Sequence, residues 1–434
     1  MQGTQIKAIT ARQVLSGRGH PAIEATVFTE NGAYGTAVCT AGVSIGTHEI
    51  PFAYDGGEKF GGKGVLGAVQ TVNEVIAPAL KGLDASNQFL CDHEMLNIGG
   101  PNAKDRLGGN APAAVSAAIL KAGANALGIP LYRHIGGANA VTLPAAAFGC
   151  ASGSNRYVRE HSAGSKPTYS FISYDFSTFS EASYALWEVT TAWQRMMNDR
   201  YGLTASKSSK NATCAGFVNV PTDIVKNDYE LWSLMAETIC KCGYEGRIGL
   251  QGDLAADCYL DKKTGLYHGL FDEKPRTTDE VIEVIKDMAY KFPFVIVEDP
   301  LGEDDFEGHA RICREVDIQI VGDDLFTTNS KRVVQGIKAG AANTVLLKVN
   351  QIGTISESLE MIQLAYENGY GVMPCSSRGE GISIVDYCVG INAGTIRESC
   401  LGSSGSRFLE IERELGRNAV FAGKRGLKGR RFQQ

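Results

Sequence analysis

Three charged residues each close an apolar run: Glu298 in FVIVED, Asp323 in IQIVGDD and Lys348 in TVLLKVN. They recur at intervals of 25 residues. Val- and Ile-rich runs of this length read as buried strands. The amphipathic segments TTDEVIEVIKDMAYKF, NSKRVVQGIKAGA and TISESLEMIQLAYENG alternate with them as helices. One strand and one helix per interval means a parallel sheet, and with IGLQGD before the series and YGVMPCSS after it a closed (β/α) barrel is favoured over a doubly wound open sheet. In a barrel the three charges converge at the C-terminal mouth.

Lys348 sets the next constraint. Side chains alternate along a strand, so Val345, Leu347 and Val349 share one face and Leu346, Lys348 and Asn350 the other. A buried ammonium needs acidic partners or a lowered pKa. Asp253 in GDLAAD, Glu298 and Asp323 supply carboxylates at strand ends. Three such groups repel one another unless a cation neutralises them, and an all-oxygen donor set selects Mg²⁺. The competing explanation, that each acid merely caps a following helix, accounts poorly for three in register with a lysine. Beside a metal, Lys348 is expected to have a lowered pKa and to act as a base. The reaction class is then proton abstraction next to a carboxylate whose enediolate the metal stabilises.

The rest of the chain narrows the setting. Residues 4–50 carry hairpin material (ITARQVLS, AIEATVFTE, AYGTAVCTA), and residues 64–130 turn helical, as in NAPAAVSAAILKAGANAL. The division expected is an α+β domain over 1–140 and the barrel over 141–434. Residues 148–216 break the barrel rhythm with Ser, Gly, Tyr and Thr around the helix-like SEASYALWEVTTAWQRMMND. They are expected to be long loops covering a ligand at the mouth.

The net charge of −6, from 42 basic and 48 acidic residues, offers no basic stripe for nucleic acid. No apolar run approaches a membrane span, and MQGTQIKAIT lacks the apolar core of a signal peptide, so a cytoplasmic location is expected. The 11 cysteines are scattered, with CKC as the closest pair, and are expected to be reduced. The seven histidines form no HxxxH pair, which argues against a histidine metal site.

These residues carry a resemblance to the enolase family over nearly the whole chain. SGRGHPAIEA resembles that family's SRGNPTVE, GVSIG its GASTG, FGGKGV its FLGKGV, and GLQGDLAAD its strand ending in DxAA. VEDPLGEDDFEG, QIVGDDLFTTN and LLKVNQIGT match nearly residue for residue. The resemblance implies an N-terminal α+β capping domain, a modified (β/α)8 barrel and two Mg²⁺ ions. It also implies a small anionic carboxylate substrate and a homodimer or an assembly of dimers. Asp253, Glu298 and Asp323 would hold the first metal, Lys348 would be the base, and Ser44 of the GVSIG loop would reach the second metal once substrate binds.

The chain departs from the family elsewhere. The GDEGG(Y/F)AP segment, which carries the general acid, reads NATCAGFVN, so Cys214 takes the acid's place. GGEHA reads GSNRY, placing Asn155 and Arg156 where Glu and His are expected. QEF reads PTY, with Thr168 at the glutamate's position and Glu160 and His161 close by. SHRSGE reads CSSRGE, so Ser376, Ser377 and Arg378 form the altered anion-binding loop. Arg397 replaces a second active-site lysine, and a guanidinium clamps an anion rather than acting as a base. Metal-binding and enediolate-forming groups remain, whereas leaving-group and far-end recognition groups have changed. That pattern points to a hydro-lyase of the 2-phosphoglycerate/phosphoenolpyruvate kind, with a changed substrate such as a phosphonate analogue, or a non-catalytic paralogue, as alternatives.

Overall fold

A computed structural model describes residues 3–17, 19–42, 45–152, 166–204 and 217–433. The chain begins with an antiparallel meander, β1 (Ile6–Leu15), β2 (Pro21–Thr29) and β3 (Tyr34–Cys39). Ile23, Ala25 and Val27 alternate inward along β2 and are fully buried, as a sheet with one covered face requires. The cover includes α1 (Gln88–Gly99) and the alanine-rich α2 (Asn110–Leu127), which ends on left-handed Gly128. Strand and helix approach so closely that a Cβ on Gly35 would stand 2.3 Å from the Ala122 nitrogen. Only glycine fits there.

The second part closes into a barrel. Its strands are β4 (Ala145–Ser152), β5 (Thr168–Ser173), β6 (Ile248–Asp253), β7 (Phe294–Glu298), β8 (Gln319–Gly322), β9 (Thr344–Leu347), β10 (Gly371–Pro374) and β11 (Thr395–Ile396). From β6 to β10 every neighbour is parallel, and β11 pairs in parallel with β4. The bridge between Cys375 and Arg397, with Arg397 N donating to Pro374 O at 3.1 Å, joins β10 to β11. The ring is therefore closed, and the open-sheet alternative falls.

One feature differs from the expected uniform rhythm. β5 runs antiparallel to both β4 and β6. The polar segment 148–216 is thus not simply loop, because it holds the end of β4, all of β5 and a helix, α3 (Phe179–Tyr201), of 23 residues. Two further stretches of it, 153–165 and 205–216, lie outside the described residues.

Alternation along the strands decides what faces inward. Ile296, Val321 and Leu346 belong to one apolar cluster with Ala145, Ala147, Ile172 and Met373 inside the ring. Two residues further along the same faces come Glu298, Asp323 and Lys348. Val297, Ile320, Val345 and Leu347 belong instead to the larger apolar cluster, packed under the outer helices.

Those helices have caps of their own. Asn227 caps α4 (Asp228–Lys241), Thr277 forms a reciprocal capping box with Glu280 at α5 (Thr278–Lys291), and Asp305 caps α6 (Phe306–Glu315). Asn329 caps α7 (Ser330–Ala339), and Thr354 caps α8 (Ile355–Glu367). The strand-end acids are therefore not helix caps.

The two parts meet at the start of α8. Ser356 donates its N–H at 3.0 Å and its hydroxyl at 2.7 Å to Asp92 of α1, which also accepts from Gln88 Nε2 at 3.0 Å. Ile355 N donates to Ser116 Oγ of α2 at 2.9 Å. Orphan amides of one part are thus satisfied by side chains of the other. Among the described residues no single helix is long and apolar enough to cross a membrane, and the ten described cysteines are all free.

Removing the Asp92 carboxylate leaves buried donors without an acceptor. Asp92→Ala is expected to lower stability by about 3 kcal/mol, on the scale of an unsatisfied buried donor network, as read from urea unfolding.

Candidate active site

The inward-facing charges meet at the strand ends. Strand register pairs Glu298 with Asp253 across β7 and β6, and Thr168 with Asp253 across β5 and β6. Carboxylate oxygens of Glu298, Asp299 and Asp323 lie within 4.8 Å of one another, all buried. Neither Glu298 oxygen accepts a hydrogen bond from the described residues, although Arg397 Nε stands 3.0 Å from Oε2 as an ion-pair partner. Buried acceptors of this kind, in an all-oxygen set, fit a hard divalent cation.

The cluster differs from the expected triad in one member. Asp253 is outside it, because Asp253 Oδ2 is shared by the Lys166 ammonium and the Arg397 guanidinium. Asp299 is inside it, but its two oxygens accept the backbone N–H groups of Asp323 at 2.9 Å and Asp324 at 2.8 Å. Asp299 therefore organises the neighbouring strand exit. Left-handed backbone at the non-glycine residues Ala255, Asp299, Thr327, Thr328 and Glu398 shapes these exits around the mouth. Each costs about 1 kcal/mol or more, strain of the kind concentrated at functional sites.

Lys348 points into this cluster as its alternation requires. Its ammonium contacts Asp323 Oδ2, while Gln351 Nε2 donates to Oδ1 at 2.8 Å. Thr328 Oγ1 accepts from Lys348 N at 3.1 Å and donates to Gln351 Oε1 at 2.8 Å. Burial works against the Lys348 charge, but Asp323 outweighs it and holds the ammonium above its ordinary range. The lowering was expected of Lys348 beside a metal; with the carboxylate alone, direct contact favours the protonated amine.

The acids feel the crowding. Burial and then Asp323 push Asp324 up to about 7. Burial raises Glu298, with Asp323 adding to it and Arg397 opposing. Burial, and then Asp324 and Asp323, raises Asp299 well above the carboxylate range.

The other expected residues divide into three groups. Thr168 and Arg397 enter the site, with Arg397 Nη2 donating to Thr168 Oγ1 at 3.3 Å. Ser376 and Ser377 follow β10 in the turn leading to Arg378. Arg378 faces the N-terminal part. Its guanidinium forms a two-pronged pair with Glu49, and its side chain is 1% exposed. The one-position displacement in CSSRGE accompanies this engagement with the N-terminal part. Ser44, Arg156, His161 and Cys214 lie outside the described residues. The described end of the GVSIG loop does reach the cluster, where a Cβ on Gly46 would stand 3.0 Å from Asp324 Oδ1.

Sequence reasoning missed Lys166, Glu49, Gln351 and Asp299. Gln351 sits in the quoted LLKVNQIGT three residues past Lys348, so one turn of helix was its signal. Lys166 had none, standing in a polar stretch just before Pro167. Burial, and then the positive charges of Arg397 and Lys348, bring its ammonium down to about 8.

Comparison with known proteins bears on the whole of this arrangement. Residues 6–135 match the family described as "Enolase, N-terminal domain", and residues 168–429 match "Enolase, C-terminal TIM barrel domain". The chain belongs to the enolase family. It is 39% identical to an enolase of Methanococcus maripaludis over 429 residues, covering 96% of this chain and 97% of that one. It is 38% identical to an enolase of Methanocaldococcus jannaschii over 421 residues, covering 95% and 96%. An enolase of Thermococcus gammatolerans is 36% identical over 432 residues, covering 97% of each.

Within that family frame, the Glu49–Arg378 pair is a buried electrostatic tie between capping part and barrel. Arg378→Met leaves Glu49 buried without its partner and is expected to cost about 3–5 kcal/mol. Pairing it with Glu49→Leu should recover most of the loss, as a double-mutant cycle in guanidinium would register.

Proposed function

We propose that this enolase-family chain is a hydro-lyase of the phosphopyruvate hydratase kind, removing the proton α to a carboxylate and expelling a β-hydroxyl. The observation that carries it is Lys348, an inward-facing ammonium on Asp323, inside a buried group of carboxylates at the barrel mouth. The full-length likeness to enolases supports the same reading.

The residues divide the work. Asp253, Glu298 and Asp323 are assigned to a divalent cation, Mg²⁺ by donor type, which when bound supplies the charge that stabilises an enediolate. Lys348 in its neutral form accepts the α-proton at Nζ, and the ammonium produced is balanced by Asp323. Gln351 and Thr328 hold Asp323 and the Lys348 backbone in place for that transfer. Arg397 stays cationic and orients a carboxylate against Thr168 and Asp253. Departure of hydroxide from C3 consumes a proton, which the motif position assigns to Cys214. Ser44 is assigned to a second Mg²⁺.

The same reading takes residues 1–140 as the capping domain and 141–434 as the barrel. It places the protein in the cytoplasm as a homodimer or an assembly of dimers. One observation favours a second reading, a related phosphorylated acid as substrate: Glu49 engages Arg378, the arginine expected to meet the far anionic group.

With Mg²⁺ and 2-phosphoglycerate in deuterated water, the protein is expected to exchange the α-proton and to form phosphoenolpyruvate, followed by NMR. Lys348→Ala should abolish both, a loss of about 10⁴-fold or more for removing a catalytic base. Exchange without phosphoenolpyruvate moves the assignment to another leaving group, and no exchange with any phosphorylated acid overturns it.

A further inference from the structure

The cations of the site are not equally committed. Arg378 is held by Glu49 with both prongs. Arg397 contacts Asp253, stands 3.0 Å from Glu298 Oε2 and 3.2 Å from Glu398 Oε1, and also donates to Thr168. Lys348 is engaged by Asp323 and has the base's role. Among the described residues Lys166 has one ion-pair partner, Asp253, and shares that partner's Oδ2 with Arg397.

One carboxylate oxygen thus answers two positive charges. If Asp253 and Glu298 turn to a divalent cation, Arg397 keeps Glu398, whereas Lys166 keeps no carboxylate contact among the described residues. A third positive charge then faces the mouth, buried and in need of an anion.

The placement is built rather than incidental. Lys166 is followed by Pro167 and by Thr168, which opens β5 in register with Asp253. The Tyr259 hydroxyl donates to the Lys166 carbonyl and anchors the backbone. The side chain is 13% exposed, against 3% for Asp253. It therefore sits slightly nearer the opening than the carboxylate it touches.

We propose that Lys166 is a substrate-positioning cation of this chain, exchanging Asp253 for the substrate's phosphate when a divalent cation engages that carboxylate. It thereby takes over the anion-holding task from which Glu49 withholds Arg378. Lysine suits it as a compact point charge on a flexible stem, able to move between two oxygen partners. This inference rests on the metal-assisted reading of the site given above.

Calorimetry on the full-length protein tests it with two readouts of opposite sign. Without substrate, Lys166→Met removes a competitor for Asp253, and Mg²⁺ should bind about fivefold tighter or more. With saturating Mg²⁺, phosphoglycolate should bind about tenfold weaker or more, the loss of one charge-assisted contact. Lys166→Arg should restore most of the phosphoglycolate affinity, and Lys166→Gln provides a second neutral variant should the methionine fold poorly. In turnover the neutral variants should raise KM more than they lower kcat.

Weaker Mg²⁺ binding by both neutral variants would make Lys166 a mere support for Asp253 and overturn the inference. So would unchanged phosphoglycolate affinity. Either result beside intact α-proton exchange in the wild type overturns this inference alone. A wild type that binds no Mg²⁺ and exchanges no proton overturns the functional reading with it.

Discussion

Like charge brought together inside a protein is the constraint from which the site is built. Asp253, Glu298, Asp299, Asp323 and Asp324 are all buried at the ends of three neighbouring strands. Desolvation alone makes each ionised carboxylate expensive, and their mutual repulsion adds to it. The chain meets this in two ways. It brings Lys166, Lys348 and Arg397 against the acids, and it feeds backbone N–H groups to Asp299. Even so, among the described residues Glu298 accepts no hydrogen bond and Asp324 Oδ1 has no hydrogen-bond partner. The remaining deficit of positive charge is the physical reason a divalent cation belongs here.

Closure of the barrel and assembly of the site are the same event. The bridge joining β10 to β11 falls on Arg397, whose side chain then spans Asp253 and Glu298 on β6 and β7. The capping part contributes in turn through Glu49, which holds Arg378 and accepts from Gln351 at 3.3 Å. Gln351 in turn donates to Asp323. A path of hydrogen bonds therefore runs from the N-terminal part through Glu49 and Gln351 to Asp323, the partner of Lys348.

What could be read from the chain followed from periodicity. The 25-residue interval fixed one βα unit per charged residue, and alternation with Leu346 placed Lys348 inside the ring. Residues standing outside a period were not legible. β5 reverses direction inside a polar stretch, so its antiparallel pairing left no trace in the strand–helix rhythm. Asp299 looked like the last letter of a VED run, yet its left-handed backbone turns it toward the next strand's amides. Arg378 and Glu49 are 329 residues apart, and only tertiary structure could reveal that each is the other's partner.

The role proposed for Lys348 makes a further demand on the charge around it. A lysine among metal ligands suggests an amine ready to take a proton, but contact with Asp323 favours its charged form. The same carboxylate is therefore asked to do two things: favour the proton after transfer, and not favour it before. Only a change in the charge around Asp323 reconciles them, because a carboxylate whose charge is already engaged holds an ammonium less strongly. Gln351 cannot make that change, being neutral, and Arg378 is spent on Glu49. The role proposed for Lys348 therefore requires cation binding at the acids, so that the lysine would become competent as a base only in a site that has also gained the charge to stabilise an enediolate.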